Sequence, residues 1–145
     1  MKPRVRGARR SAAGRRPNDQ VHEHDMARIL LAEDDDSMRT FLANALRRAG
    51  HIVRDCPEGT SALAALKAEP YDLLLADIVM PGMDGIELAR QASEVHPTLK
   101  VLFITGFAAV ALNARRSGRS PEAKVLSKPF HLRDLVAQVD RILAA

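Results

Sequence analysis

Acidic residues follow two apolar runs of the chain. Residues 33–36, Glu-Asp-Asp-Asp, come directly after the run RILLA, and Asp77 comes directly after the run LLLA. A carboxylate in an apolar segment costs folding energy unless cations or hydrogen-bond donors compensate for its charge. Asp77 is not explained as a helix cap, because Pro81 and Gly82 separate it from the next helix signal at Asp84.

These acids suit a divalent cation if the fold brings them together. Function in parallel α/β sheets lies past the carboxyl ends of the strands, where Glu33, Asp34 and Asp77 would converge. Carboxylates at such short range either raise one another's pKa or bind a cation. Oxygen ligands favour a hard ion, most simply Mg²⁺ with several waters. The alternative role, a helix cap, suits Asp35 or Asp36.

Two further polar residues at strand ends indicate phosphoryl chemistry. The Asp77 carboxylate can attack a phosphoryl group and form an aspartyl phosphate. The charge on the phosphoryl oxygens requires cations, which the metal and the Lys128 ammonium would supply. The Thr105 hydroxyl can donate a hydrogen bond to the attached group. The alternative for Thr105 is an ordinary threonine at a surface strand end.

The elements that must position these residues alternate from Met26 onward. Short apolar runs predict five strands, at residues 28–32, 51–54, 72–76, 100–104 and 124–127. Helical periodicity follows these runs, with Gly50 ending the first helix and an Asp84/Glu87 capping box opening the third. The pattern predicts an α/β fold, a doubly wound five-stranded parallel sheet with helices on both faces.

Composition divides the chain into two parts. Residues 1–25 hold seven Lys or Arg residues against three acids, whereas residues 26–145 carry 15 of each and have no net charge. The first part lacks an apolar period, which predicts a disordered basic extension before a domain at 26–145. The single cysteine, Cys56, excludes an intramolecular disulfide and fits a cytoplasmic protein. No apolar run approaches the ~18 residues that span a bilayer.

Four motifs together resemble the response-regulator receiver domain: ILLAEDDDSMR, LLLADIVMPGMDG, VLFITGFA and LSKPF. This resemblance implies a flavodoxin-like sheet of strand order 2-1-3-4-5. It also implies that Asp77 is the phosphoacceptor and that Mg²⁺ is bound by Asp34, Asp77 and the carbonyl of Val79, with Glu33 acting through water. Thr105 and Lys128 would contact the phosphoryl group, and the bond from Lys128 to Pro129 would be cis.

Longer segments are similar to the CpdR-type single-domain response regulators of alphaproteobacteria: DIVMPGMDGIELAR, FITGFAAVALN and AKVLSKPFHLRDLV. This resemblance implies a two-component phosphorelay, with a histidine kinase or histidine phosphotransferase as phosphodonor. It also implies that the output controls proteolysis by ClpXP. Because no effector domain follows residue 145, we expect the output to be protein contact by a switch and not by an enzyme.

Two features depart from the receiver pattern. Val125 stands where receivers usually carry the Tyr or Phe that moves inward as the threonine moves, so this aromatic switch is missing. The segment 106–113 contains no charge, although a peripheral helix normally has a polar face. Either this segment packs onto the sheet, or residues 107–112 form a surface that contacts the protease or an adaptor.

Other interpretations remain open from the residues alone. A Mg²⁺ phosphatase of the haloacid dehalogenase class also uses an Asp nucleophile, but it typically has a second Asp two residues later, where this chain has Val79. A nucleic-acid binder would depend on the basic extension 1–25, because the domain has no excess of positive charge. The final Leu143-Ala144-Ala145 matches the end of the ssrA tag, which suggests recognition by ClpX; the alternative is a simple helix end.

Overall fold

The computed structural model describes residues 26–106 and 124–145. Within them, five strands and four helices alternate. The strands are β1 (Arg28–Ala32), β2 (Ile52–Cys56), β3 (Leu73–Asp77), β4 (Lys100–Thr105) and β5 (Lys124–Ser127). The helices are α1 (Asp36–Arg48), α2 (Gly59–Ala68), α3 (Gly85–Val95) and α4 (Leu132–Ala144). The predictions for residues 1–25 and 107–112 lie outside the described residues.

The strands form one parallel sheet in the order β2-β1-β3-β4-β5. This order confirms the predicted doubly wound, flavodoxin-like topology. β1 and β3 pair directly, with Leu31 opposite Leu75, and Asp77 at the end of β3 lies opposite Ile104 of β4. The carboxyl ends of the three central strands therefore meet at one edge of the sheet.

Two apolar cores cover the two faces of the sheet. Alternate residues of β1 point to opposite faces, so Ile29 and Leu31 pack with α1 and α4, whereas Leu30 and Ala32 pack with α2 and α3. All five residues of β3 are buried, as expected for a central parallel strand. This double cover holds the central strand ends in place.

The bounds of three strands differ from the prediction. β2 begins at Ile52 and ends at Cys56, because this edge strand buries only Val53 and Cys56 and continues through the exposed Arg54 and Asp55. His51, predicted as its first residue, instead accepts a hydrogen bond from the N–H of Ala27. A prediction from the apolar run alone therefore ended this strand two residues too early. β3 is shifted by one residue from the predicted 72–76, so that it ends at Asp77, and β4 extends one residue further than predicted, to Thr105.

The helix boundaries follow the predicted caps. Asp35 accepts the N–H of Met38 at 2.8 Å, and Asp84 accepts the N–H of Glu87 at 2.8 Å. Gly50, after the end of α1, has φ of 101°, a left-handed conformation that suits glycine. No helix in the described part of the chain is long and apolar enough to cross a membrane.

Candidate functional site

The corner between β1 and α1 presents the first two acids. The N–H of Glu33 donates to the carbonyl of Cys56 at 3.1 Å, which continues the contact between β1 and β2. The Glu33 carboxylate accepts the N–H of Asp35 at 3.1 Å, while Asp35 itself caps α1. Glu33 is buried and Asp34 is exposed. The same short segment thus caps a helix and directs two other carboxylates to the sheet edge.

Asp77 ends β3 as a buried residue. Its Oδ1 accepts the N–H of Val79 at 3.1 Å. Gly85, the first residue of α3, lies directly against the Asp77 backbone, since a Cβ on Gly85 would lie 2.3 Å from the Asp77 carbonyl oxygen. The N–H of Gly85 also donates to the carbonyl of Ile78 at 2.9 Å. A glycine is therefore required for α3 to approach this strand end.

The structure brings the predicted acids together. Glu33, Asp34 and Asp77 each offer a carboxylate oxygen, and these atoms all lie within 4.8 Å of one another. The Nζ of Lys128 lies 3.2 Å from Asp77 Oδ2 and 3.5 Å from Glu33 Oε1. Three hard oxygen donors with one exposed residue among them fit a divalent ion such as Mg²⁺. The predicted contribution of the Val79 carbonyl stays a prediction.

Lys128 and Thr105 are linked through their backbones. The N–H of Lys128 donates to the carbonyl of Thr105 at 2.7 Å, and the bond between Lys128 and Pro129 is cis, as predicted. Thr105 is fully buried at the end of β4, so the alternative of a surface threonine is wrong. Ser127 of β5 pairs with Thr105. The two residues predicted to contact a phosphoryl group therefore sit at adjacent strand ends.

Burial and charge together shift the pKa values of two groups in this cluster. Burial raises the pKa of Glu33 to about 7; the Asp77 charge adds to this effect, whereas the N–H of Asp35 and the Lys128 ammonium oppose it. Burial lowers the pKa of Lys128, but the carboxylates of Asp77 and Glu33 together raise it above its ordinary value. The sequence posed a raised pKa and a cation among the acids as alternatives. In the structure the pKa of Glu33 is raised, mainly by burial, and the Lys128 ammonium also lies among the acids.

Two residues that position the site were missed from the sequence. The Asp84 cap marked Gly85 as the first residue of a helix. Nothing in the sequence showed that the lack of a side chain at Gly85 lets α3 lie against the Asp77 backbone. Arg39 donates from Nη1 to the carbonyl of Glu33 at 2.9 Å. A single Arg in an amphipathic helix gives no sequence signal for such a contact, because its partner is a backbone atom.

Comparisons with known proteins agree with this geometry. The family model described as "Response regulator receiver domain" matches residues 29–140. The chain is 61% identical over 120 residues to the response regulator receiver protein CpdR of Brucella abortus (strain 2308), which covers 83% of this chain and 99% of the relative. It is 34% identical over 119 residues to the sensor kinase CckA of the same strain, covering 81% of this chain and 12% of the kinase.

A solved structure shows the same architecture. The response regulator receiver protein from Sinorhizobium medicae WSM419 superposes with a TM-score of 0.75 at 30% identity. The alignment covers 83% of this chain and 96% of that protein.

Proposed function

Because the chain belongs to the response regulator receiver domain family, we propose that it is a phosphorylatable switch with Asp77 as its phosphoacceptor. One observation carries this proposal. The buried Asp77 carboxylate lies 3.2 Å from the Lys128 ammonium and within 4.8 Å of oxygens of Glu33 and Asp34. The nucleophile, a cation and two metal-binding carboxylates thus share one sheet edge.

The proposed step transfers a phosphoryl group from a phosphohistidine. An Asp77 carboxylate oxygen attacks phosphorus, a P–O bond forms, and the P–N bond breaks with its electron pair left on the imidazole nitrogen, which takes up a proton. A divalent ion held by Glu33, Asp34 and Asp77 would neutralise charge on the phosphoryl oxygens. The Lys128 ammonium already lies beside Asp77 and would hold one of those oxygens.

We further propose how the modified site is read within the domain. Thr105 would donate its hydroxyl to the phosphoryl group. The hydrogen bond from the Lys128 N–H to the Thr105 carbonyl, 2.7 Å long, supports joint movement of the two residues. Val125 of β5 pairs with Phe103 of β4 and has no ring to move inward, so the signal would leave by the β4 and β5 ends themselves.

The phosphodonor in this proposal is a histidine kinase or a histidine phosphotransferase in the cytoplasm. The proposed output is control of ClpXP-dependent proteolysis by contact with the protease or its adaptors. Support for the output comes from the 61% identity to a CpdR protein over 99% of that protein's length. The receiver unit is proposed to comprise residues 26–145, of which the family match covers 29–140.

The phosphoacceptor is tested by intact-mass measurement. Wild-type protein with a small phosphodonor and Mg²⁺ should gain the mass of one phosphoryl group, and chelation should prevent the gain. Asp77→Asn removes the nucleophile with little change of shape and should abolish labelling. Asp84→Asn is the matched control, because it makes the same substitution at a helix cap in the following loop and asparagine also caps helices. Undiminished labelling of Asp77→Asn would refute the assignment.

The output is tested in a reconstituted degradation assay. We expect the unphosphorylated protein to accelerate ClpXP degradation of a CpdR-dependent substrate and the phosphorylated protein to lose this effect. Equal degradation rates with and without the unphosphorylated protein would contradict this output and leave the phosphoacceptor assignment intact. Sustained release of phosphate from small phosphate esters would instead favour the phosphatase alternative.

A further inference from the structure

Arg39 of α1 reaches three acceptors on three different segments. Its Nη1 donates to the backbone carbonyl of Glu33 at 2.9 Å, and its Nη2 donates to Oδ1 of Asp36 at 2.6 Å. Its Nε lies 3.4 Å from Oδ2 of Asp55 on β2. The side chain is only 16% exposed. A guanidinium has donors in a fixed planar fork, so these three contacts define its orientation.

The contact with Glu33 controls more than one residue. The Glu33 carbonyl belongs to the peptide unit that joins Glu33 to Asp34, and the Glu33 N–H is held on the other side by the carbonyl of Cys56. Among the described residues, the Asp34 carboxylate has no hydrogen-bond or ion-pair partner. Its direction is therefore set by the backbone alone, and Arg39 is the side chain that holds that backbone.

We propose that Arg39 is a positioning residue that directs the carboxylates of Glu33 and Asp34 toward Asp77 for divalent-ion binding. The inference rests on the proposed function, since it assumes that this cluster binds Mg²⁺. Arg39 does not touch the ion or the phosphoryl group; it acts through the peptide plane between the two acids.

Whether Mg²⁺ binding becomes weaker or tighter when Arg39 is replaced distinguishes a positioning role from a purely electrostatic one. Arg39 carries a positive charge near a cluster of carboxylates, so removing that charge should strengthen cation binding if electrostatics alone matters. Loss of positioning should weaken binding instead, because the peptide plane gains freedom that the ion must then remove. Partners that orient metal ligands typically change affinity by ~10–100-fold.

The experiment measures the Mg²⁺ dissociation constant of the whole chain by calorimetric titration or by amide NMR shifts. The variants are Arg39→Met and, as matched control, Arg47→Met. Arg47 lies on the same helix, is 3.4 Å from the same Asp55 and donates to a carbonyl, that of Val53, at 2.9 Å. We expect about tenfold weaker Mg²⁺ binding in Arg39→Met and nearly unchanged binding in Arg47→Met. At saturating Mg²⁺ the phosphorylation rate of Arg39→Met should approach that of wild type.

Equal or tighter Mg²⁺ binding in Arg39→Met, relative to Arg47→Met, would overturn the inference. If Arg39→Met does not fold, Arg39→Lys decides the question, because it keeps the positive charge but lacks the planar fork whose three nitrogens each contact a different acceptor. Wild-type affinity in that variant would overturn the inference. The proposed function fails separately, since in that case wild-type protein itself would not bind Mg²⁺ or accept a phosphoryl group.

Discussion

The two ends of the sheet differ in how their charged side chains are paired. At the carboxyl end, the carboxylates of Glu33, Asp34 and Asp77 share one ammonium, that of Lys128. When all three acids are ionised, three negative charges meet one positive charge there, and two of the acids are buried. This end is electrostatically unbalanced in the absence of another cation.

The amino end holds as many charged groups, but they are matched. The amino-end cluster comprises Arg28, Glu69, Asp72 and Lys100. Arg28 donates its N–H to Asp72 at 2.8 Å and forms an ion pair with Glu69. The Lys100 ammonium donates to the carbonyl of Ile142 at 2.9 Å and to a main-chain oxygen of the last residue, Ala145, at 2.6 Å, where α4 ends.

The difference indicates that the charged groups at the amino end stabilise the fold, whereas those at the carboxyl end are arranged to bind a ligand. A five-residue strand separates the two ends by roughly 16 Å, so each can be changed with little direct effect on the other. Substitutions at the amino end should alter stability alone. Substitutions at the carboxyl end should alter the response to protons, to Mg²⁺ and to phosphodonors.

The largest expected effect is on the pH dependence of stability without divalent ions. Burial raises the pKa of Glu33 from its ordinary 4.5 to about 7, so the folded state binds more protons than the unfolded state between these values. The free energy of unfolding should therefore fall as pH rises from about 4.5 to about 7, by on the order of 3 kcal/mol from this group.

Glu33→Gln isolates that contribution. Denaturant unfolding in a chelator, at several pH values, should show wild type losing stability relative to Glu33→Gln as pH rises through this window. Parallel curves for the two proteins would show that Glu33 ionises in the folded protein as it does in the unfolded chain.

The second prediction compares Mg²⁺ stabilisation at the two ends. An ion that binds only the folded protein stabilises it by about 2.7 kcal/mol at a hundredfold excess over the dissociation constant. Asp34→Asn removes one metal-binding carboxylate and should lose most of the Mg²⁺-dependent rise in melting temperature. Asp72→Asn makes the same change in the amino-end cluster and should keep the rise. An equal loss in both variants would mean that the ion acts through general surface charge.

The contacts at the carboxyl end of the sheet were easier to predict from the sequence than those at the amino end. The parallel sheet followed from the apolar runs, and the strand order followed from the resemblance to the receiver domain. Glu33, Asp34 and Asp77 were expected to converge because each follows the carboxyl end of a strand. Asp84 was identified as a cap from its spacing to the following helix, and the first cap was narrowed to Asp35 or Asp36, of which Asp35 caps α1. These are features that depend on local residue type and order.

Contacts with backbone atoms escaped prediction. The hydrogen bond from Arg39 to the Glu33 carbonyl spans six residues, and that from Lys100 to the carbonyl of Ile142 spans 42. Neither could be predicted, because a backbone acceptor gives no signal in the sequence. The end of β2 at Cys56 was also missed, because an edge strand can continue through exposed polar residues such as Asp55. Three-dimensional packing fixed each of these features.

The third prediction concerns the single ammonium of the carboxyl end. Lys128 lies 3.2 Å from Asp77 and 3.5 Å from Glu33, so it competes with a divalent ion for the same carboxylates. Lys128→Met should bind Mg²⁺ more tightly by roughly 1 kcal/mol, about fivefold, while its phosphorylated form shows smaller NMR shift changes than wild type. Weaker Mg²⁺ binding in this variant would mean that Lys128 organises the carboxylates and does not compete for them.

The smallest expected effect is at the amino end of the sheet, where the charged groups are paired. Lys100→Met removes an ammonium that donates to two main-chain oxygens where α4 ends, so those oxygens lose a charged partner and the helix end loses a favourable cation. The loss should be about 0.5–1 kcal/mol of unfolding free energy, since these oxygens can accept hydrogen bonds from water instead. Mg²⁺ affinity and phosphorylation at Asp77 should match wild type, because Lys100 lies at the opposite end of β4 from Thr105. Chemical denaturation and Mg²⁺ titration of the same samples measure both quantities. A Lys100→Met protein with altered Mg²⁺ affinity would show that the two ends are coupled through the sheet, and the division between a stabilising end and a ligand-binding end would then be wrong.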